Sequence, residues 1–212
     1  PVRDVTYVFY ECEEIDAAFN GLERIAHSHP ELLDSDFAIL MEPTSAGVEA
    51  GCQGTLRAVV RTSGTRAHSA RSWLGDNAVH QAAEILNRLV DYDPRRALVD
   101  GLEYREGLNA VGIEGGVAGN VIPDACAVTV NYRFAPSRSQ QEAQDHVREV
   151  FAGFEVEIVD LAAGALPGLH LPAARQFITA VGAQPRPKFG WTDVARFAAL
   201  GVPAGSYGPG GP

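Results

Sequence analysis

The sequence predicts an α/β protein in which a separate two-layer domain interrupts an α/β layer. Strand-sized apolar runs alternate with amphipathic helical stretches towards both ends of the 212 residues. Between them, strands that are apolar at every second position indicate a sheet with one face in water. The composition, 46% hydrophobic and 21% charged, is ordinary for a folded protein. None of the apolar runs is long enough to span a bilayer, so no membrane partner is expected.

The first part of the chain predicts a strand, a helix and a second strand. Residues 5–10 form a β-branched and aromatic run, residues 15–27 carry an apolar helical stripe, and residues 37–41 form a second apolar run. Pro30 is expected to end the helix. Strands joined through a helix by short connections are typical of a parallel sheet, so we assign residues 1–47 to an α/β layer.

The middle of the chain, residues 48–160, predicts a domain with its own order of elements. Alternating apolar residues predict strands, and two helices are expected, one beginning near Asp76 and one capped by Ser137 or Ser139. The strands are expected at residues 56–61, 108–113, 128–134 and 155–159. The first helix is expected over residues 76–90, and the second runs from its serine cap to residue 151. The first helix is expected to face inward through Val79, Ala82, Ala83, Leu86 and Leu89. The order β-α-β-β-α-β is typical of a ferredoxin-like unit.

Beyond residue 160 the α/β pattern returns. Helices are expected over residues 173–181 and 194–200, followed by a strand over residues 204–207. Residues 1–47 and 161–212 are therefore predicted to form one α/β domain that the ferredoxin-like domain interrupts.

Charge and cysteine content narrow the range of functions. The formal net charge is −10 and the 17 basic residues are scattered, whereas nucleic-acid binding needs clustered Lys and Arg. Cys12, Cys52 and Cys126 are odd in number and widely spaced. This spacing excludes a zinc ribbon built from cysteines and favours a reducing compartment, so we expect a cytoplasmic protein.

Carboxylates follow both of the first two predicted strands. Glu13 and Glu14 come shortly after the first run, and Glu42 comes directly after the second. The carboxyl ends of parallel strands meet at one edge of a sheet, and neighbouring carboxylates there attract a divalent cation. Two simpler explanations remain open at this point: acidic residues favour the start of a helix, and a glutamate after a strand is often only solvated.

Three polar residues of the middle domain could also take part in chemistry. His68 lies in a loop flanked by small residues, while Asn120 and Arg133 come later in the same domain. Asn offers both a donor and an acceptor, and Arg offers a two-pronged fork for a carboxylate. Each residue taken alone is more typical of an ordinary solvated side chain.

Four short motifs together resemble a known family. They are Glu-Glu after a strand, Glu-Pro-Thr at residues 42–44, Gly-x-x-x-His-Ser-Ala at residues 64–70 and Gly-Asn-Val-Ile-Pro at residues 119–123. This set resembles the two-zinc aminoacylase and carboxypeptidase-like metallopeptidases. The 29-residue separation of Glu13 and Glu42 is similar to that in the branch of the family that removes succinyl groups. Residues 189–197 and 206–210 also resemble that branch. The resemblance covers essentially the whole chain.

The resemblance implies a role for each matching residue. An inserted domain of this kind forms a homodimer in the family, and each subunit holds two zinc ions. By this resemblance Glu13 is the general base, and Glu14 and Glu42 are zinc ligands. His68 reaches across the dimer and polarises the carbonyl group of the substrate in the partner's active site. The residues implied to bind substrate are Asn120, Arg133, Thr192 and Arg196.

The sequence also departs from the family pattern. The family's His-x-Asp strand, its bridging Asp and its final His have no counterpart in these 212 residues. A catalytic zinc takes at least three protein ligands, so we expect an incomplete site, an inactive chain and exposed apolar surface near Val8 and Ile39. Two alternatives stay open: another N-acyl amino acid deacylase or carboxypeptidase of this family, or a non-catalytic dimerisation module.

Overall fold

The computed structural model describes residues 4–13 and 19–211, which form two compact units. The first unit contains the described residues up to 50 together with 167–186 and 192–211, and the second contains 51–166 and 187–191. No helix in these described ranges is long and apolar enough to cross a membrane.

The elements are numbered in chain order. The helices are α1 (Gly21–Ser28), α2 (Ala78–Val90), α3 (Gln140–Val150), α4 (Pro172–Val181) and α5 (Val194–Ala199). The strands are β1 (Ala38–Leu40), β2 (Glu49–Ala50), β3 (Gly54–Ser63), β4 (Ala67–His68), β5 (Arg96–Val99), β6 (Leu102–Arg105), β7 (Gly107–Gly115), β8 (Val121–Ile122), β9 (Ala125–Phe134), β10 (Glu155–Ala162), β11 (Arg186–Pro187) and β12 (Ala204–Ser206).

The first unit is built on a small mixed sheet with strand order β1-β12-β2-β11. Strand β1 pairs in parallel with β12, and β12 pairs antiparallel with β2. The expected strand at residues 37–41 and the expected C-terminal helices and strand are confirmed. Helix α4 begins with Pro172, whose fixed φ suits a first helical position, and ends at Gly182 in the left-handed conformation.

The expected strand at residues 5–10 is wrong. Residues 4–10 belong to no strand or helix, and Val5, Tyr7 and Phe9 are 68, 75 and 91% exposed. A strand is stable only when neighbours take up its backbone hydrogen bonds, and none of the described strands pairs with this segment. The exposed surface expected near Val8 and Ile39 is present in part, because Ile39 is 44% exposed while Val8 is half-buried.

Helix α1 is shorter within the described residues than the sequence suggests. It begins at Gly21, because the side chain of Asn20 accepts a hydrogen bond from the Glu23 backbone N–H and so caps the helix. The expected start at Ile15, together with Glu14, lies outside the described residues.

The second unit contains the expected ferredoxin-like arrangement. Its main sheet is antiparallel with strand order β10-β3-β9-β7. Its elements follow the order β-α-β-β-α-β, formed by β3, α2, β7, β9, α3 and β10. In the sheet, the last strand, β10, pairs with the first, β3, and β9 lies between β3 and β7. The predicted fold class, an α/β protein with an inserted ferredoxin-like domain, is confirmed.

The two helices of this unit cover one face of the sheet. Alternate residues of β3 and β9 point towards them, including Leu56, Val60, Val130 and Phe134, which are all fully buried. The remaining residues of these strands point to the opposite face, which we call the open face; they include Arg57, Arg61, Asn131 and Arg133. Alternation with period two therefore separates a packed face from a polar one.

Helix α3 begins as the sequence predicts, whereas α2 differs in detail. Ser139 and Glu142 form a reciprocal capping box at the start of α3. The cap of α2 is Asn77 instead of Asp76. Its buried residues are Ala78, Ala82 and Ile85, with Leu89 partly buried, so the predicted inward positions Val79, Ala83 and Leu86 are wrong because the buried stripe is rotated around the helix axis.

Additional pieces of the second unit were not expected. Strands β5 and β6 form a hairpin whose two-residue turn, Asp100-Gly101, has positive φ at both residues. This geometry is the hairpin turn that Asp-Gly favours. Both edge strands of the main sheet contain a register shift, in β7 between Ala110 and Gly112 and in β10 between Ile158 and Asp160.

A buried carboxylate anchors the hairpin side of this unit. The Glu106 carboxylate is fully buried; it accepts hydrogen bonds from the Tyr132 hydroxyl at 2.6 Å, the Ala135 backbone N–H at 3.1 Å and Arg138 Nε at 3.3 Å. Arg95 Nη1 lies 3.5 Å from the same carboxylate. Two guanidinium groups and two neutral donors thus compensate for the cost of burying this charge.

Candidate functional site

A buried polar network lies in the first unit around Asp193. Asp193 is fully buried just before α5 and makes no capping hydrogen bond with that helix. Its carboxylate instead accepts hydrogen bonds from Asn20 Nδ2 at 3.0 Å, from Arg196 Nε at 2.5 Å and from the Tyr10 hydroxyl. Burial raises the pKa of Asp193, and the hydrogen bonds from Asn20 and Tyr10 oppose that rise because they favour the ionised form.

Glu13 and Glu42 both lie in the electrostatic neighbourhood of Tyr10. Burial raises the pKa of the Tyr10 hydroxyl most strongly; the charge and hydrogen bond of Asp193 raise it further, as do the charges of Glu13 and Glu42. Glu13 also acts on Arg196. Burial lowers the pKa of the Arg196 guanidinium, and Tyr10 and Glu13 oppose part of that decrease. Tyr10 therefore lies within electrostatic range of Glu13, Glu42 and Arg196.

Thr192 and Arg196 lie beside Asp193. Thr192 is buried immediately before it, and Arg196 projects from the first turn of α5, where it also pairs with Glu23. Asp193 itself was not among the residues predicted from the sequence. It lies in the stretch 189–197 that resembles the family, but an Asp directly before a predicted helix is the usual signature of an N-cap and not of a buried network.

The metal-binding potential of this region is limited. Among the described residues, no group of three or more His, Cys, Asp or Glu side chains is arranged to hold a metal ion. Glu13 and Glu42 are the predicted site carboxylates within the described residues, and Glu14 lies outside them. Because a zinc site needs at least three protein ligands, the described residues do not by themselves fit zinc.

In the second unit, His68 and Asn120 lie close together. Strand β4 pairs with β8, which places His68 opposite Val121, and the Ser69 backbone N–H donates to the Asn120 carbonyl at 2.9 Å. His68 Nδ1 accepts a hydrogen bond from the Ala70 N–H at 3.1 Å. A neutral imidazole therefore carries its proton on Nε2, at the outer end of an exposed side chain, and can donate it to a ligand.

Arg133 lies on the open face, apart from that pair in sequence and in sheet position. It is half-buried on β9, opposite Thr55 and Gly107, and its Nε donates to Asn131 Oδ1 at 3.1 Å. Burial lowers the pKa of its guanidinium, Arg57 lowers it further and Asp160 opposes the change. Within the described residues, the predicted site residues thus lie in three places: around Tyr10, at the pair of His68 and Asn120, and on the open face.

The fold and these sites define a class: an α/β protein that carries an inserted ferredoxin-like domain. The peptidase dimerisation domain family (M20_dimer) matches residues 51–157, about half of the chain. The chain belongs to this family of M20 peptidase domains.

Relatives extend the similarity to the whole chain. A Mycobacterium tuberculosis protein assigned as a succinyl-diaminopimelate desuccinylase is 61% identical over 100% of this chain and 60% of the relative. The succinyl-diaminopimelate desuccinylase of Corynebacterium glutamicum is 50% identical over 99% of this chain and 58% of the relative. The chain therefore spans about 60% of the length of these curated relatives.

Solved structures support the fold at lower identity. An M20 family metallo-carboxypeptidase from Sulfolobus solfataricus superposes with a TM-score of 0.67 at 18% identity, covering 88% of this chain and 59% of that one. A tripeptidase from Staphylococcus aureus gives a TM-score of 0.66 at 20% identity, covering 89% and 52%.

Proposed function

We propose that this chain is part of a zinc-dependent amidohydrolase that cleaves N-succinyl-L,L-diaminopimelate into succinate and L,L-diaminopimelate, a step of diaminopimelate and lysine biosynthesis. The observation that carries the proposal is 61% identity across the whole chain to a protein assigned that activity. The position of Tyr10 within electrostatic range of both Glu13 and Glu42 supports it, because a hydrolase needs carboxylates close to where it handles protons.

The roles of the residues follow the chemistry of amide hydrolysis. Glu13 accepts a proton from the attacking water and passes it to the departing amine. His68 of the partner subunit donates its Nε2–H to the carbonyl oxygen, on which negative charge develops. Arg133 and Asn120 each contribute to binding the carboxylates of the substrate, and Thr192 and Arg196 contribute to the substrate loop.

Two zinc ions per subunit belong to this proposal, with Glu14 and Glu42 among their ligands. When bound, zinc activates a water molecule by lowering its pKa. The other ligands would come from parts of the protein outside this chain. We also propose a cytoplasmic location, consistent with the absence of a disulfide among Cys12, Cys52 and Cys126, all of which lie in the described ranges.

Substrate profiling of the full-length protein tests the function. Zinc-loaded protein is incubated with N-succinyl-L,L-diaminopimelate and, in parallel, with N-acetyl amino acids and dipeptides, and amine release is followed. We expect turnover of the succinylated substrate above the others. Turnover of the N-acetyl amino acids without the succinylated compound would point to another deacylase of the family.

Carboxypeptidase activity is the second candidate, and one observation favours it. A fungal protein assigned as a carboxypeptidase, from Ajellomyces dermatitidis, is 33% identical over 54% of this chain. Release of C-terminal residues from peptides in the same assay would support this alternative. A third alternative, a non-catalytic dimerisation module, requires that none of these substrates is turned over.

The chain alone is expected to bind zinc weakly and to hydrolyse nothing. Of the predicted zinc ligands, Glu42 lies within its described residues, whereas each catalytic zinc needs at least three protein ligands. Equilibrium dialysis against zinc with metal analysis checks this, with the full-length protein as the matched control. Tight binding of two equivalents by the 212-residue chain would contradict it.

We propose that a second copy of this chain covers the apolar surface formed by α2 and β7. The edge strand β7 is exposed over residues 109–115, and the exposed side chains of this dimer surface are Val79, Leu86, Val90, Val111 and Ile113. A Cβ placed on Gly115 would lie 2.8 Å from Val79 Cγ2, so helix and strand are adjacent there. An unpaired edge beside apolar side chains favours association, and a twofold axis would satisfy both copies.

A charge placed on the dimer surface should separate the subunits. We expect Ile113→Glu and Val90→Glu each to weaken the dimer at least about 100-fold, because a buried unpaired carboxylate opposes association. Sedimentation should then give 22.6 kDa instead of twice that mass. Leu98→Glu is the matched control, since Leu98 is 76% exposed on the β5–β6 hairpin outside this surface. A dimer unaffected by both variants would place the interface elsewhere.

A further inference from the structure

A shallow cleft of about 310 Å³ opens in the second unit beside the open face. Its polar lining comes from Gln53, Arg105, Asn109, Asn131 and Arg133. Asn109 and Asn131 are directly opposed on β7 and β9, which places both carboxamides side by side. None of the lining residues is acidic, although the chain carries a net charge of −10. The cleft is therefore cationic on an otherwise acidic molecule.

The arginines of the open face differ in their ion pairs. Arg57 lies 3.6 Å from the Asp160 carboxylate, and Arg61 lies 2.5 Å from that of Glu157. Arg133 is half-buried, and no carboxylate within the described ranges lies within ion-pair distance of it. A partly desolvated guanidinium without a paired anion is a ready binding site for one.

Arg105 brings a second guanidinium to the same cleft from the β5–β6 hairpin. Its backbone carbonyl accepts a hydrogen bond from Gln53 Nε2 at 2.8 Å, which fixes the end of β6 beside the start of β3. Its Nε lies 3.0 Å from Glu103, a carboxylate that also pairs with Arg96 at 3.5 Å. One carboxylate is thus shared between two arginines, which leaves Arg105 able to bind a further anion.

We propose that Arg105 is a specificity-determining residue that, together with Arg133, binds the free carboxylate of a dicarboxylic acyl group such as succinyl. This inference rests on the proposed function and deepens it, because it names the group that selects a succinylated substrate over a neutral acyl one. The carboxamides of Asn109 and Asn131 supply additional donors. A cleft of this size accommodates a four-carbon diacid, and free succinate should occupy it.

Succinate titration of the 212-residue chain, followed by nuclear magnetic resonance, tests the proposal. We expect saturable shifts in cleft residues and a dissociation constant that rises about tenfold in Arg105→Gln, the loss typical of one charge-assisted hydrogen bond. Arg105→Lys, which keeps the charge, should recover part of the affinity. Arg148→Gln is the matched control, because Arg148 lies on α3, which packs against the other face of the sheet, and the substitution should change the constant less than about twofold. Butyrate, which has the length of succinate and a single carboxylate, should bind more weakly.

Several outcomes separate this inference from the proposed function. If the full-length protein hydrolyses the succinylated substrate and Arg105→Gln leaves its kcat/KM unchanged, the role of Arg105 is wrong and the function stands. If hydrolysis is absent but succinate binding depends on Arg105, the function is wrong and the anion site stands. Unsaturable binding, or equal loss in Arg148→Gln and Arg105→Gln, would overturn the proposed site.

Discussion

Replacing Glu13 by Gln in the full-length protein is expected to lower kcat by about 10²- to 10⁴-fold, the usual contribution of a positioned general base. The carboxamide has the same shape but cannot accept the proton of the attacking water. Because Glu13 is not among the proposed zinc ligands, KM and zinc content should stay close to their original values. Steady-state kinetics with metal analysis measures both effects.

Glu11→Gln is the matched control for this substitution. Glu11 is an exposed carboxylate two residues away that pairs with Arg24, so its loss should change kcat less than about twofold. If Glu13→Gln keeps more than a tenth of the activity, or if Glu11→Gln causes an equal loss, Glu13 is not the base.

Replacing Glu106 by Ala is expected to destabilise the second unit by about 3–5 kcal/mol. The substitution leaves Arg138, the Tyr132 hydroxyl and the Ala135 N–H without the carboxylate that satisfies them in the buried interior. Urea unfolding followed by tryptophan fluorescence is suitable, because Trp73 and Trp191 both lie in this unit.

Two further variants make the Glu106 experiment specific. Glu103→Ala removes an exposed carboxylate from the adjoining hairpin and should cost less than about 1 kcal/mol. Glu106→Gln keeps an acceptor for the Tyr132 hydroxyl and should be less harmful than Glu106→Ala. A loss below about 1 kcal/mol in Glu106→Ala would show that this network contributes little to stability.

The sequence predicted the second unit well because its signals are local. Leu56 to Val60 and Val128 to Phe134 alternate with period two, and Ser139 stands three residues before Glu142 as a capping box requires. The hairpin turn at Asp100-Gly101 was also visible in the sequence and was overlooked. The rotation of α2 was not visible, since Val79 and Leu86 are as apolar as core residues and only the position of β7 leaves them outside.

The first unit was harder to predict because its outcome depends on distant partners. Residues 5–10 have strand-like composition, but whether they pair is decided by other parts of the sheet. Asp193 similarly looks like a helix cap, and its actual partners Tyr10 and Asn20 lie more than 170 residues away in sequence. Glu13 and Glu42 were expected to meet at the ends of two parallel strands, whereas in the structure their charges act on Tyr10. The roles predicted for the site residues remain predictions.

The register shifts in β7 and β10 have a consequence for assembly. In each edge strand one additional residue, Val111 or Val159, interrupts the regular ladder. Such an irregularity bends the strand and increases its twist, so a straight run of strands cannot be added to it indefinitely. Neither edge therefore offers a flat template for a fibre, and edge-to-edge growth of the sheet is disfavoured.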